Sequence, residues 1–201
     1  MNFCAFCVSK NRPYCMNKKW SIDDLRIAWD LVTRLHEGQQ YSGPKEGEQF
    51  PYINHIGSVT FEVLAAIEKS ESMNADLAIK CALLHDSIED TAFTFENVQD
   101  KFGISVANGV LALTKNETLK SKENQMRDSL DRIKKQPKEI WAVKLADRIC
   151  NLSPPPHHWT KEKRQAYLKE AQLIHRELKD GNSYLAERLA NKIIAYKEFV
   201  S

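Results

Sequence analysis

The sequence has no long apolar run, little glycine and no excess of charge of either sign. No apolar stretch approaches the roughly 18 residues that a membrane-spanning helix needs, which excludes a protein with membrane-spanning helices. Seven Gly and seven Pro in 201 residues argue against a glycine-rich all-β protein. With 29 basic and 27 acidic residues, the net charge of +2 is too balanced for bulk electrostatic binding to nucleic acid or to an acidic membrane. We therefore expect neither a nucleic acid nor a membrane as partner.

Phosphate-binding glycine loops and disulfide frameworks are missing as well. We find no GxGxxG motif, no P-loop, no internal repeat, no coiled-coil heptad and no strand with a period of two. The five cysteines are an odd number, and Cys81 and Cys150 fall in predicted core helices. This pattern favours a reduced, cytoplasmic protein. Cys4 and Cys7 form a CxxC pair. A zinc site needs four ligands, and the sequence nearby does not supply a complete set.

What the sequence contains, after residue 20, is almost entirely helical in pattern. Ser21 followed by two acids predicts a helix start, and an apolar stripe follows it at helical spacing. We predict an all-α bundle of about eight to ten helices with short links, in one domain over residues 20–201. Residues 1–19 are expected to form a poorly ordered N-terminal extension. Residues 41–50 are predicted as a loop and residues 75–88 as one helix.

The most informative segment, residues 82–91, reads Ala-Leu-Leu-His-Asp-Ser-Ile-Glu-Asp-Thr. On a helix that advances about 100° per residue, its charged residues share one polar arc while Leu84 and Ile88 point toward a core. The arc consists of His85, Asp86, Glu89 and Asp90. Three carboxylates and an imidazole so close together repel one another unless a cation lies among them. The segment therefore indicates a divalent metal.

Two further segments supply candidate ligands. His55 lies in Tyr-Ile-Asn-His, and Asp147 lies in Val-Lys-Leu-Ala-Asp-Arg. Together with His85 and Asp86 they give two imidazoles and two carboxylates, a set that suits Mn²⁺, Fe²⁺ or Zn²⁺. Taken singly, each residue can be explained without a metal, for example as a core histidine or as a surface aspartate paired with a neighbouring cation. The combination within otherwise apolar helices favours the metal.

These motifs resemble the HD phosphohydrolase superfamily and, more closely, the hydrolase domain of RelA/SpoT enzymes. The resemblance rests on Tyr-Ile-Asn-His at residues 52–55, the segment at 82–91, Phe-Gly at 102–103 and Val-Lys-Leu-Ala-Asp-Arg-Ile-Cys-Asn-Leu at 143–152. It covers about residues 22–195, and the single-domain small alarmone hydrolases are similar in length. The resemblance implies Mn²⁺-dependent removal of the 3′-pyrophosphate from ppGpp or pppGpp, which are small nucleotide substrates.

By matching position, the resemblance also implies roles for individual residues. The metal ligands would be His55, His85, Asp86 and Asp147. Glu89 and Asp90 match the acidic pair that positions or deprotonates the attacking water. Asn151 matches the residue that contacts the nucleotide sugar or base, and Lys163 and Tyr167 lie at positions similar to substrate contacts.

The sequence departs from this family before the Tyr-Ile-Asn-His segment. Where the family carries a basic cluster that faces the substrate, the chain has Gln-Tyr-Ser at residues 40–42, and Lys45 is the only cation of the loop. A pyrophosphate needs Arg or Lys side chains, and Lys144 and Arg148 are candidates to supply them. Ile56 also replaces the proline that usually follows the histidine.

Three alternatives follow from these observations. The altered loop motivates a phosphohydrolase of the same superfamily that acts on another nucleotide, as a nucleotidase or phosphodiesterase. A non-catalytic nucleotide sensor is the second, although a sensor has no need of Glu89 and Asp90. A purely structural helical bundle is the third and has little support. The sequence leaves the oligomeric state open.

Overall fold

Ten α-helices carry most of the residues that the computed structural model describes, which are residues 20–70 and 72–200. The helices are α1 (Ile22–Leu35), α2 (Ile53–Glu68), α3 (Ala75–Leu84), α4 (Ser87–Asp90), α5 (Phe95–Phe102), α6 (Ile104–Leu113), α7 (Lys122–Lys134), α8 (Lys138–Asn151), α9 (Lys161–Leu178) and α10 (Ser183–Tyr196). Short 3₁₀ turns follow α9 and α10. The prediction of an all-α bundle is confirmed. The expected extension at residues 1–19, with its CxxC pair, lies outside the described residues.

The chain between α1 and α2 forms a small hairpin, so its prediction as a loop was wrong. Strands β1 (Gln40–Ser42) and β2 (Gln49–Pro51) are antiparallel, with Tyr41 opposite Phe50. The turn between them is closed by Gly47, whose φ of 75° is a conformation that a residue without a Cβ adopts at little cost. Strands of three residues are too short to show a period of two in the sequence. The hairpin leads directly into α2.

The helix predicted over residues 75–88 is interrupted in the middle of the His-Asp pair. Helix α3 ends at Leu84, and Asp86, with φ −102° and ψ 0°, separates it from α4. Side chains satisfy the carbonyls at the break: His85 Nδ1 lies 2.8 Å from the oxygen of Ala82, and the Ser87 hydroxyl donates to Leu84 at 2.7 Å. The break separates α4, with Glu89 and Asp90, from the helix that ends beside His85.

Helices α2, α3 and α8 pack against one another at the centre of the bundle. Their contact faces are fully buried aliphatic side chains, including Ile56 and Val59 of α2, Ile79 of α3, and Leu145 and Ile149 of α8. Burying one such side chain contributes about 1.5–3 kcal/mol, so these are the most firmly held parts of the chain. Among the described residues, no helix is long and apolar enough to cross a bilayer.

Candidate metal centre

Three of the four predicted ligands meet where the three central helices converge. His55 of α2, His85 at the end of α3 and Asp147 of α8 place their ligand atoms within 4.8 Å of one another. The two Nε2 atoms are 3.3 Å apart, and Asp147 Oδ1 is 3.5 Å from Nε2 of His55. All three side chains are almost completely buried. Because they belong to the packed core, their relative positions are fixed before any ligand arrives.

Asp86, the fourth predicted ligand, lies against both imidazoles. Its Oδ2 is 2.9 Å from Nε2 of His85 and 3.7 Å from Nε2 of His55. The same oxygen accepts a 2.6 Å hydrogen bond from the hydroxyl of Tyr52. The structure therefore brings together all four side chains that the sequence predicted to hold the metal.

The donor set fits a divalent cation. His85 Nδ1 donates to the carbonyl of Ala82, which leaves Nε2 with a lone pair directed at Asp86 and His55. A lone pair facing a carboxylate is repulsive unless a proton or a metal lies between them. Burial by itself lowers the pKa of His85, but the neighbouring carboxylate of Asp86 overrides it and raises that pKa to about 9. A metal ion at this point would take the place of that proton.

The two carboxylates of the centre are held in the ionised form. Burial opposes ionisation of Asp86, but the adjacent His85 imidazole lowers its pKa below the usual range. For Asp147 burial is outweighed by the Lys144 ammonium, 2.9 Å from Oδ2, and by both imidazoles, so its pKa lies well below the ordinary value. Both groups are therefore ready to act as anionic oxygen ligands at neutral pH.

Glu89 and Asp90 of α4 point to different partners. Asp90 Oδ2 lies 3.3 Å from the Tyr52 hydroxyl, beside the metal centre. Burial, followed by the charges of Asp86 and Glu89, raises the pKa of Asp90, although the Tyr52 bond opposes this. Glu89 instead accepts a 2.9 Å hydrogen bond from the backbone N–H of Lys115, and its other oxygen pairs with the Lys115 ammonium. Sequence reasoning missed Lys115 because it follows α6 in a segment that has no motif.

A cleft of about 590 Å³ opens beside His55. Aromatic side chains form much of its lining: Tyr41, Phe50 and Tyr52 from the hairpin side, and Trp159 and Tyr167 from the start of α9. Planar, apolar walls of this kind suit a nucleobase and a ribose. The cleft therefore connects the metal centre to a compartment large enough for a nucleotide.

The predicted substrate-binding residues divide between this cleft and the protein interior. Asn151 and Tyr167 line the cleft, and Asn151 also donates to Asp147. Lys144 is buried on Asp147. Arg148 is 4% exposed; its guanidinium packs 4.6 Å from the Tyr167 ring centre and pairs with Glu170 at 3.3 Å. Neither cation belongs to the lining of the cleft.

The other two predicted cations lie at the periphery. The Lys163 ammonium sits 4.3 Å from the centre of the Trp159 ring, next to the cleft. Lys45 is exposed in the turn of the hairpin and is not part of the cleft lining. Gln39, which the sequence did not single out, donates a 2.8 Å hydrogen bond to the carbonyl of Asp90. Gln39, directly before the segment that lacks the basic cluster, thus forms a hydrogen bond with the backbone of α4.

The fold and the site together define an HD domain protein, and the HD domain family model matches residues 28–182. The chain is 32% identical over 166 residues to the guanosine-3′,5′-bis(diphosphate) 3′-pyrophosphohydrolase MESH1 of Danio rerio, across 80% of this chain and 87% of that protein. It is 34% identical to MESH1 of Xenopus tropicalis over 167 residues, 81% of this chain and 88% of the relative. The chain therefore belongs to the MESH1 family of HD domain proteins.

A solved structure agrees with this assignment. It is described as a metazoan orthologue of SpoT that hydrolyses ppGpp, and it matches with a TM-score of 0.74 and 26% identity. The match covers 88% of this chain and 97% of the other. The resemblance to RelA/SpoT-type hydrolases predicted from the sequence is confirmed.

Proposed function

We propose that the chain is a metal-dependent hydrolase that removes the 3′-pyrophosphate of ppGpp or pppGpp and releases GDP or GTP. The observation that carries this proposal is the meeting of His55, His85, Asp86 and Asp147 beside a nucleotide-sized cleft that His55 lines, with Asp90 near them. The relatives named for this reaction support the choice of substrate.

We propose Mn²⁺ as the metal, with Fe²⁺ or Zn²⁺ as alternatives that the same donor set accepts. His55, His85, Asp86 and Asp147 would hold it. When bound, such a cation polarises a phosphoryl oxygen and lowers the pKa of water. The Lys144 ammonium on Asp147 offsets part of the negative charge that the two aspartates place in the core.

In the proposed reaction, Asp90 accepts the proton of the attacking water. Its raised pKa makes it a stronger base than an ordinary aspartate, which brings it closer to the working pH. The water oxygen forms a bond to the phosphorus attached to the 3′-oxygen, and the bond from phosphorus to that oxygen breaks. The 3′-oxygen takes a proton from water, pyrophosphate leaves, and Asp90 returns its proton to the solvent. Glu89, held by the backbone N–H of Lys115, would help to orient the water.

We place the reaction in the cytoplasm, with a free small nucleotide as substrate and no nucleic acid partner. Cys81 and Cys150 are both free thiols in the structure, which is the usual state in a reducing compartment. The near balance of acidic and basic residues supports a substrate that is recognised in a cleft and not on a charged surface.

Substitution of Asp90 tests the proposed chemistry. Asp90→Asn keeps the shape of the side chain but removes its basicity, so metal content should be unchanged and ppGpp turnover should fall by at least ~10²-fold. Asp100→Asn, at an exposed position on α5, is the matched control and should turn over ppGpp normally. Turnover of ppGpp by Asp90→Asn at the wild-type rate would show that Asp90 is not the base.

A second candidate is hydrolysis of a different nucleotide by the same centre. The position of the predicted cations favours this second candidate. Inside the protein, Lys144 is paired with Asp147 and Arg148 is paired with Glu170. A panel of ppGpp, pppGpp, their adenosine analogues, deoxynucleoside triphosphates and 5′-monophosphates, assayed with Mn²⁺, separates the two. The first proposal predicts the largest kcat/KM for ppGpp or pppGpp, whereas a larger value for any other class supports the second.

A further inference from the structure

The cleft runs along one face of α2, away from the metal centre. His55, Ser58 and Glu62 are spaced three and four residues apart, which places them on the same face of the helix, and all three line the cleft. The seven residue-to-residue steps from His55 to Glu62 span about 10 Å of helix. The cleft therefore extends from the proposed metal centre for about two helical turns along α2.

The far end of the cleft carries a positive charge. Arg188 of α10 binds both oxygens of Glu62, with Nε donating to Oε2 at 2.6 Å and Nη2 pairing with Oε1, so these two charges cancel. Lys192 lies one helical turn further along α10, is partly exposed and lines the cleft. Among the described residues that line it, Lys192 is the one Lys or Arg side chain.

Cys150, three residues after Asp147 on α8, also lines the cleft. Burial raises the pKa of Cys150 to about 12, and the carboxylates of Asp147 and Glu62 act in the same direction. Lys192 and Arg188 oppose them. The charges of Asp147 and Lys192 thus act on the same cleft-lining thiol in opposite directions.

From this arrangement we infer that Lys192 binds the 5′-phosphates of the nucleotide. The inference rests on the proposed function, in which the 3′-pyrophosphate occupies the metal centre. A nucleotide with phosphates on both sides of its ribose then needs a cation at the opposite end of the cleft. A lysine ammonium is a compact point charge without the fixed fork of arginine, so it can bind a 5′-diphosphate or a 5′-triphosphate equally well.

Two substrates that differ only at the 5′ position test the inference in the Mn²⁺-loaded enzyme. With ppGpp, Lys192→Met should raise KM about tenfold, the scale of a lost hydrogen bond to a charged group, and leave kcat within about twofold. With guanosine 3′-diphosphate, which has no 5′-phosphate, the variant and the wild type should have the same KM. Lys192→Arg should restore most of the affinity for ppGpp, and Lys197→Met, an exposed lysine just beyond α10, is the control.

Binding of GDP and guanosine, followed by calorimetry, provides a readout that needs no turnover. GDP should bind Lys192→Met about tenfold more weakly than the wild type, while guanosine binds both equally. Equal affinity of the two proteins for GDP, or an equal loss of affinity for GDP and guanosine, overturns the inference even if ppGpp is hydrolysed. Conversely, a wild-type enzyme that binds GDP through Lys192 but leaves ppGpp intact overturns the proposed reaction and keeps the 5′-phosphate site.

Discussion

The hydroxyl of Tyr52 donates a 2.6 Å hydrogen bond to Oδ2 of Asp86, and it also lies 3.3 Å from Oδ2 of Asp90. One side chain thus links a carboxylate of the proposed metal centre to the proposed base. Burial and the charge of Asp86 raise the pKa of Tyr52 far above its usual value, so the group remains a donor. Its ring is stacked on His36 at 5.1 Å between ring centres, which fixes its direction.

Tyr52→Phe should retain the metal but lower kcat by about 10- to 100-fold, the range found when a partner of a metal ligand is removed. The Tyr52 bond lowers the pKa of Asp90, so its loss raises that pKa further. Because the base acts in its ionised form, the acid limb of the kcat/KM profile should move to higher pH. Tyr184→Phe on α10 is the control, and an unchanged profile in Tyr52→Phe would mean that the hydroxyl has no part in the reaction.

Lys115 is expected to act through Glu89. Its ammonium, on a side chain that is 47% exposed, and its backbone N–H both bind that carboxylate, and a methionine keeps only the backbone bond. Lys115→Met should therefore lower kcat about tenfold without loss of metal. Lys120→Met, exposed in the same loop, should behave as the wild type. If the two variants have the same kcat, Glu89 does not depend on Lys115.

Asp147 is expected to be indispensable for metal binding. Asp147→Asn removes an anionic oxygen that lies 3.5 Å from His55 Nε2, and it leaves the buried ammonium of Lys144 without its carboxylate. Purified Asp147→Asn should contain little metal by atomic emission and show no turnover. Asp131→Asn, on the surface of α7, should retain both. Full metal content in Asp147→Asn would place the ion elsewhere.

Gly109 of α6 tests the packing that holds the central helices. A Cβ at this position would lie 2.6 Å from Cδ1 of Ile140 and 2.8 Å from Sγ of Cys81. Gly109→Ala should lower the free energy of unfolding by about 1–3 kcal/mol through overpacking, although alanine is the better helix former. Asn108→Ala, exposed one residue earlier, should be neutral or slightly stabilising in urea denaturation. A Gly109→Ala protein as stable as the wild type would mean that α6 is packed less closely.

That His55, His85, Asp86 and Asp147 come together could be predicted from the sequence, because each lies in a short, chemically distinctive segment. Packing of the core does not require a His or an Asp. Polar groups such as His85 and Asp147 within apolar helices therefore indicate a functional role. The break at Asp86 could not be predicted in the same way. The break depends on side chains that donate hydrogen bonds to individual backbone carbonyls, as Ser87 does to Leu84. The spacing of apolar residues along a helix carries no information about such bonds.

The substrate contacts were harder to predict, because a sequence shows a cation but not its partner. Arg148 lies beside a predicted ligand, yet it pairs with Glu170, 22 residues further along the chain. Lys192 and Glu62 carry no motif, and they come together only when α10 packs against α2. Long-range packing of this kind decides which charges face a cleft and which neutralise one another inside the protein.

The most direct test of the account is release of pyrophosphate from ppGpp by the purified protein after chelation, with and without added Mn²⁺. We expect the chelated protein to be inactive and Mn²⁺ to restore formation of GDP and pyrophosphate in equal amounts. Pyrophosphate release at the same rate without the metal, or none in its presence, would contradict it.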